Sequence, residues 1–218
     1  MGCIAKYYIN EDTVIGVWRI EETIRAMARM VYLDDFDKKK YRSFKSISRR
    51  LEFLSVRVLL AELLGKDARI VYNKYNKPFL KDGSGFISIT HSHNLTAIIC
   101  SKTERVGIDL EIMKTNIGSM SFKFINKREV ITKNNLFRKY HLYIHWCAKE
   151  ALYKICDKEG ISIKNSITIE PFEVKASGTI IGSVVTKKLD ESFELYYCKF
   201  DNYTLVWTKK KHYDKLPA

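Results

Sequence analysis

Asp109 and Glu111 stand two residues apart in VGIDLEIM, residues 106–113, where Val106, Ile108, Leu110 and Ile112 fill the alternate positions. That alternation is strand periodicity with one apolar face, so the carboxylates share the other face, with Gly107 ahead of them. Side chains at i and i+2 lie about 7 Å apart on a strand. Two negative charges at that distance repel by roughly 2.4 kcal/mol at an effective dielectric near 20. Either water and salt screen the pair on a solvated face, or a cation is held between them.

Further along, Trp146, Glu150 and Lys154 in WCAKEALYK are spaced i, i+4, i+8 and share one stripe of a helix. Glu150 and Lys154 are also well placed for an ordinary surface ion pair. THSH brings His91 and His93 close, at the polar end of a strand, without the partners that zinc requires. Carboxylate oxygens from a strand pair and a helical Glu suit magnesium better than a soft metal. Arg49, Arg50, Lys77 and Lys154 are cations able to hold phosphate. A metal on acidic ligands with cationic helpers is equipment for attack at phosphorus. No GxxxxGK[ST] or GxGxxG segment is present, which excludes a P-loop or Rossmann enzyme. Metal-assisted phosphoryl chemistry and simple phosphate binding both stand open on these residues.

The elements that must position these groups are legible in outline. Residues 49–64, RRLEFLSVRVLLAELL, read as a helix with Leu51, Leu54, Val58 and Ala61 in one apolar stripe and Gly65 as terminator. ARIVYNKYNKPFL reads as a strand running into a turn at Pro78, and residues 82–85 as a further turn. FISITHSHNLTAIIC, residues 86–100, reads as two strands joined by HSHN, with the strand at 106–113 next. Residues 139–158 form a second helix ended by Gly160. FELYYCKF, a turn at Asp201 and Asn202, and YTLVWT have hairpin texture. Helices and strands mix without a βαβ rhythm, which predicts an α+β fold in two halves, 1–103 and 104–218.

The chain has 218 residues, of which 46% are hydrophobic and 29% charged, as in a globular protein. No apolar run approaches the roughly 20 residues that span a bilayer. The amino terminus lacks the apolar core of a signal peptide, so the expectation is a cytoplasmic protein. Lys6 stands where a myristoylation signal needs Ser or Thr. Five scattered cysteines with no CxxC pair argue for free, packed thiols. The 38 Lys and Arg against 25 Asp and Glu, a net charge of +13, favour acidic partners. KKKYR, residues 38–42, reads as a basic run on a solvated surface.

Taken in order, NKPFL, SITHS, VGIDLE, FINKRE and WCAKEALYK resemble the signature blocks of the surfactin-type 4′-phosphopantetheinyl transferases. RRLEFLSVR is similar to that family's amino-terminal arginine-bearing helix, and the resemblance spans roughly residues 45–165. It implies two similar α+β halves with the active site between them. It also implies transfer of the phosphopantetheine arm of coenzyme A to a serine of an acyl or peptidyl carrier protein, releasing adenosine 3′,5′-bisphosphate. Carried over, Asp109, Glu111 and Glu150 would be magnesium ligands, and Glu150 or a water beside it the base. Lys154 and His91, with Thr90 beside it, would contact the phosphates. Lys77 and one of Arg49 or Arg50 would hold the nucleotide end. Glu129 matches an acidic position that the family places near the metal and is carried over as catalytic. Thr90 replaces a frequent serine, and Asn76 replaces the usual glycine of GKP.

The implied partners are coenzyme A and an acidic carrier protein, both of which a basic surface would steer. Neither nucleic acid nor membrane is expected, and a monomer is the default. The competing reading is a basic nucleic-acid-binding module without catalysis, supported by the net charge and the 13 tyrosines and 11 phenylalanines. A third reading is a relative that has lost activity or turned to metal-dependent hydrolysis.

Overall fold

The computed structural model describes residues 2–114, 116–156 and 160–211. A hairpin opens the chain, β1 (Cys3–Asn10) with β2 (Thr13–Arg19). It is followed by α1 (Ile24–Ala28), α2 (Asp35–Ser43) and the long α3 (Ile47–Leu64). A short pair, β3 (Ile70–Tyr72) and β4 (Pro78–Leu80), leads to β5 (Phe86–Ser92) and β6 (Leu95–Ser101). Then come β7 (Glu104–Ile112), a 3-10 turn (Ile117–Lys123), α4 (Asn135–Ile155) and β8 (Ile167–Ile169). The chain continues through β9 (Ser177–Val185), β10 (Asp190–Phe200) and β11 (Tyr203–Lys211). Asp157 and Lys158 of the expected second helix, and the ends of the expected halves at Met1 and 212–218, lie outside the described residues.

Among the described residues the strands other than the β3-β4 pair make two antiparallel sheets, β1-β2-β6-β5 and β7-β11-β10-β9-β8. The architecture is α+β. Each sheet carries one long helix, and a third core lies between the sheets. Alternation assigns the residues. Val14, Trp18, Ile98 and Cys100 face α3, whereas Ile15, Val17, Ala97 and Ile99 meet Val106, Ile108, Leu110 and Leu205 from the other sheet. Helix α4 packs Ile144, Ala148, Ala151 and Leu152 on Ile167, Ile180, Leu195 and Val206.

Helix α3 starts on Ser46, whose side chain accepts the Arg49 amide, and stops at Gly65 with φ 98°, a backbone glycine adopts without strain. The expected single stripe is too narrow. Residues 53–60 are all buried, because α1 and α2 cover the face that the sheet leaves open. Arg57 is buried with them and pairs with buried Asp37 of α2 at 2.9 Å, its guanidinium 3.6 Å from the Phe53 ring centroid. The amino-terminal hairpin and α2 are additions to the elements read from the sequence. All five cysteines are free thiols, three of them buried.

Candidate active site

The two sheets meet along β5 and β7, and side chains join them. Amide N–H groups of Ile108, Leu110 and Ile112 donate to the hydroxyls of Ser88, Thr90 and Ser92, at 3.2, 3.3 and 3.2 Å. The other edge of β7 pairs with β11 in regular register. Three hydroxyls at alternate positions of β5 thus take the place of a neighbouring strand's carbonyls and satisfy an edge that burial would otherwise leave costly.

The same hydroxyls hold the acids. Thr90 Oγ1 donates to Asp109 Oδ1 at 3.0 Å, and Ser92 Oγ donates to Glu111 Oε2 at 2.7 Å. Lys154 Nζ reaches Asp109 Oδ1 at 2.7 Å and the Ile108 carbonyl at 2.9 Å. The Trp146 indole N–H donates to Glu111. The stripe read on the helix therefore faces β7 through Trp146 at one acid and Lys154 at the other; Glu150, one turn from each along α4, is half-buried. Gly107 explains this closeness. A Cβ there would stand 2.2 Å from the Ala151 carbonyl oxygen, so only glycine lets β7 approach α4.

Burial, and then the Asp109 charge, raise the Glu111 pKa; Ser92, Trp146 and Lys154 offset part of that rise. Asp109 Oδ2 is buried and receives no N–H or O–H hydrogen bond. Beneath them, burial and the same two carboxylates push the Cys147 thiol well up, which makes it inert packing.

Asp109, Glu111 and Lys154 open into a cavity of about 610 Å³, together with Arg49, Thr90 and His91. These six expected site residues share one cleft. Thr90 spends its donor on Asp109 and one acceptor site on Leu110, so its main task here is the seam rather than a ligand. Of the two candidate arginines, Arg49 lines the cleft. Arg50 donates to the Phe44 carbonyl at 2.9 Å and braces the α2–α3 connection instead. Lys77 points to the end of α4, 3.4 Å from the Ile155 carbonyl, and flanks a separate small cavity. Its neighbours Asn76 and Pro78 line the main cleft. Asn76 has φ 58°, so it keeps the left-handed backbone of a glycine, which Asn tolerates better than most residues.

Glu129 stands apart from these residues. It lies outside the cleft in a sealed network: Lys149 at 2.8 Å, the Asn126 and Ile169 amides at 2.8 and 2.9 Å, and His145 Nδ1 at 3.4 Å. Its partners His145 and Lys149 sit on a different stripe of α4 from Glu150 and Lys154. A carboxylate so enclosed organises the fold.

Several cleft residues escaped the sequence reading. Lys40, from the basic run assigned to a solvated surface, lines the cavity with its ammonium 3.8 Å from the Tyr72 ring centroid. Burial and the nearby Arg57 lower its pKa. Glu52 also lines the cavity, paired with Arg49 at 2.9 Å. Ser92, which lies beside the cleft and holds Glu111, was missed too, although three hydroxyls at i, i+2 and i+4 of an apolar strand were a usable signal.

The donors fit a hard divalent cation. Among the described residues no three His, Cys, Asp or Glu side chains gather as a metal cage, so the expected three-carboxylate convergence is not present as such. Two carboxylates on one strand face, one with an unsatisfied buried oxygen, are what magnesium takes when substrate phosphates and water complete its octahedron. Lys154 at Asp109 supplies the compensating charge meanwhile.

Residues 105–208 match the family model of the 4′-phosphopantetheinyl transferase superfamily. That stretch runs from β7 to β11 and contains Asp109, Glu111, Glu150 and Lys154. The match supports a transferase of this kind. No curated protein matches the chain. No helix among the described residues is long and apolar enough to cross a membrane.

Proposed function

We propose that this protein transfers the 4′-phosphopantetheine arm of coenzyme A to a serine of an acidic acyl or peptidyl carrier protein. The observation that carries the reading is the Asp109–Glu111 pair, oriented by Thr90 and Ser92 and faced by Lys154, in a basic cleft. Phosphoryl transfer asks a protein mainly for positioning and charge compensation, and this arrangement offers both.

The serine oxygen attacks the phosphorus bearing the pantetheine arm. The bond from that phosphorus to the bridging oxygen breaks, and adenosine 3′,5′-bisphosphate leaves with the electron pair. In this reading Glu150, on the α4 stripe with Lys154, takes the serine proton. Lys154 balances charge on the departing phosphate, while Arg49, His91 and Lys40 hold the nucleotide portion. Asp109 and Glu111, with Glu150, would hold a magnesium ion, which when bound would supply charge withdrawal from the pyrophosphate. All these groups come from one chain, in keeping with a monomer.

The test combines purified protein, magnesium, coenzyme A and several apo carrier proteins, read by mass spectrometry. The expected result is addition of one phosphopantetheine to at least one carrier, lost in Asp109→Ala and in Glu150→Ala. Transfer that persists in both variants removes the proposed chemistry.

A further inference from the structure

The cleft contains a carboxylate that phosphate binding does not call for. Glu52 sits on α3 one turn beyond Arg49, its side chain 17% exposed. Its Oε2 pairs with Arg49 Nη1 at 2.9 Å and lies 3.7 Å from His91 Nε2, and its Oε1 accepts from Ser48 Oγ at 3.1 Å. The Arg49 guanidinium and the His91 ring on this wall therefore already face an anion. Nearby, Phe44, Phe53 and Tyr72 give the cavity an aromatic wall, whereas Asp109 and Lys154 form its acidic and basic corner. A flat base suits the aromatic wall and a pyrophosphate suits the corner, which puts the ribose of a nucleotide donor beside Glu52.

Resting on the transferase reading above, we propose that Glu52 sets donor specificity by competing with a ribose phosphate for Arg49 and His91. A carboxylate accepts hydrogen bonds from free ribose hydroxyls, and a phosphate at the same place meets its repulsion; dinucleotide sites make the same choice between acid and arginine. The chain therefore discriminates weakly between coenzyme A and 3′-dephospho-coenzyme A. Removing the Glu52 charge releases Arg49 and His91 and sharpens the preference for the 3′-phosphate. A purely structural Arg49–Glu52 pair on the helix surface would affect both donors alike.

The experiment compares wild type with Glu52→Gln, which keeps shape and hydrogen-bonding capacity. Calorimetry measures binding of adenosine 3′,5′-bisphosphate and of adenosine 5′-monophosphate, and transfer assays compare coenzyme A with its 3′-dephospho form. We expect the variant to bind the bisphosphate about tenfold tighter, with the monophosphate unchanged to within about twofold. The kcat/KM ratio of the two donors should rise in parallel. Arg49→Ala, the second variant, should lower that ratio and abolish the effect of Glu52→Gln. Equal changes for both nucleotides, or no change, overturn the Glu52 assignment while leaving transfer intact. Absence of transfer to every carrier, with nucleotide discrimination still present, removes the transferase reading alone. Absence of nucleotide binding removes both.

Discussion

Thr90 Oγ1 stands 3.0 Å from Asp109 Oδ1 and 3.3 Å from the Leu110 amide, so one hydroxyl on β5 fixes both the backbone and an acid of β7. Thr90→Val keeps the shape and removes both bonds. It should lower stability by about 1–3 kcal/mol, the cost of an unsatisfied buried amide. It should also lower kcat, because Asp109 loses its orientation. Thr90→Ser should restore most of each. Urea unfolding alongside steady-state kinetics would show it, and a fully active valine variant would remove the hydroxyl from the site's construction.

Gly107→Ala tests the approach of β7 to α4. Its Cβ meets a backbone oxygen at 2.2 Å, so the helix must shift rather than a side chain turn aside. Overpacking of this kind costs ~3 kcal/mol or more. A thermal melt should fall clearly, with transfer reduced even at temperatures where the variant is folded.

Glu129 offers a contrast between stability and chemistry. Glu129→Ala leaves Lys149 buried and charged without its partner, a loss of about 3–5 kcal/mol. Binding of coenzyme A to the folded fraction, followed by calorimetry at low temperature, should match wild type. Lost binding in a folded variant would return Glu129 to the site.

The two arginines should separate in the same assays. Arg49→Ala should raise KM for coenzyme A about tenfold, as loss of one charged contact does, with little change in stability. Arg50→Ala should leave KM alone and cost ~1 kcal/mol through its lost bond to the Phe44 carbonyl. The reverse pattern would exchange their roles.

Acid sensitivity follows from the α4 histidines. The Thr132 amide donates to His141 Nδ1, so His141 Nε2–H points to His145 Nε2, and His145 Nδ1–H to Glu129. Burial, with each neighbour's charge behind it, lowers His141 from 6.5 to about 4; burial also lowers His145. The unfolded chain then binds more protons than the folded one between those values, so stability falls as pH drops from 6.5 toward 4. Glu129 acts in the same direction. Burial alone would raise its pKa, but the hydrogen bonds from His145, Lys149 and the Asn126 amide together hold it below the ordinary range. The His141 share is roughly 1–3 kcal/mol, and His141→Asn, which keeps an acceptor for Thr132, should flatten the profile of unfolding midpoint against pH.

Much of the site was readable in the chain. The alternation around Asp109 and Glu111 implied the strand, the spacing of Trp146, Glu150 and Lys154 implied a stripe, and Lys154 and Trp146 of that stripe meet the two acids. What the sequence could not carry was tertiary. Lys40 looked like solvated charge because nothing local reveals that α2 folds over α3 beside Tyr72. Glu129 was carried over from the resemblance alone, and its partners His145 and Lys149 are distant along the chain and one stripe removed on the helix from Glu150 and Lys154. Ser88, Thr90 and Ser92 read as a strand face, without a sign that β7 needed their oxygens. The narrow stripe expected on α3 failed for a related reason: a helix covered on both sides buries residues that solvent would otherwise wet.

The seam between β5 and β7 also bears on how the molecule can be divided. Cut at the turn between β6 and β7, the chain would yield one fragment owning the acids and another owning the hydroxyls that aim them. The fragments would each be left with a bare strand border inviting promiscuous association. Competence therefore belongs to their reunion, and restored turnover on mixing would report that the border had healed.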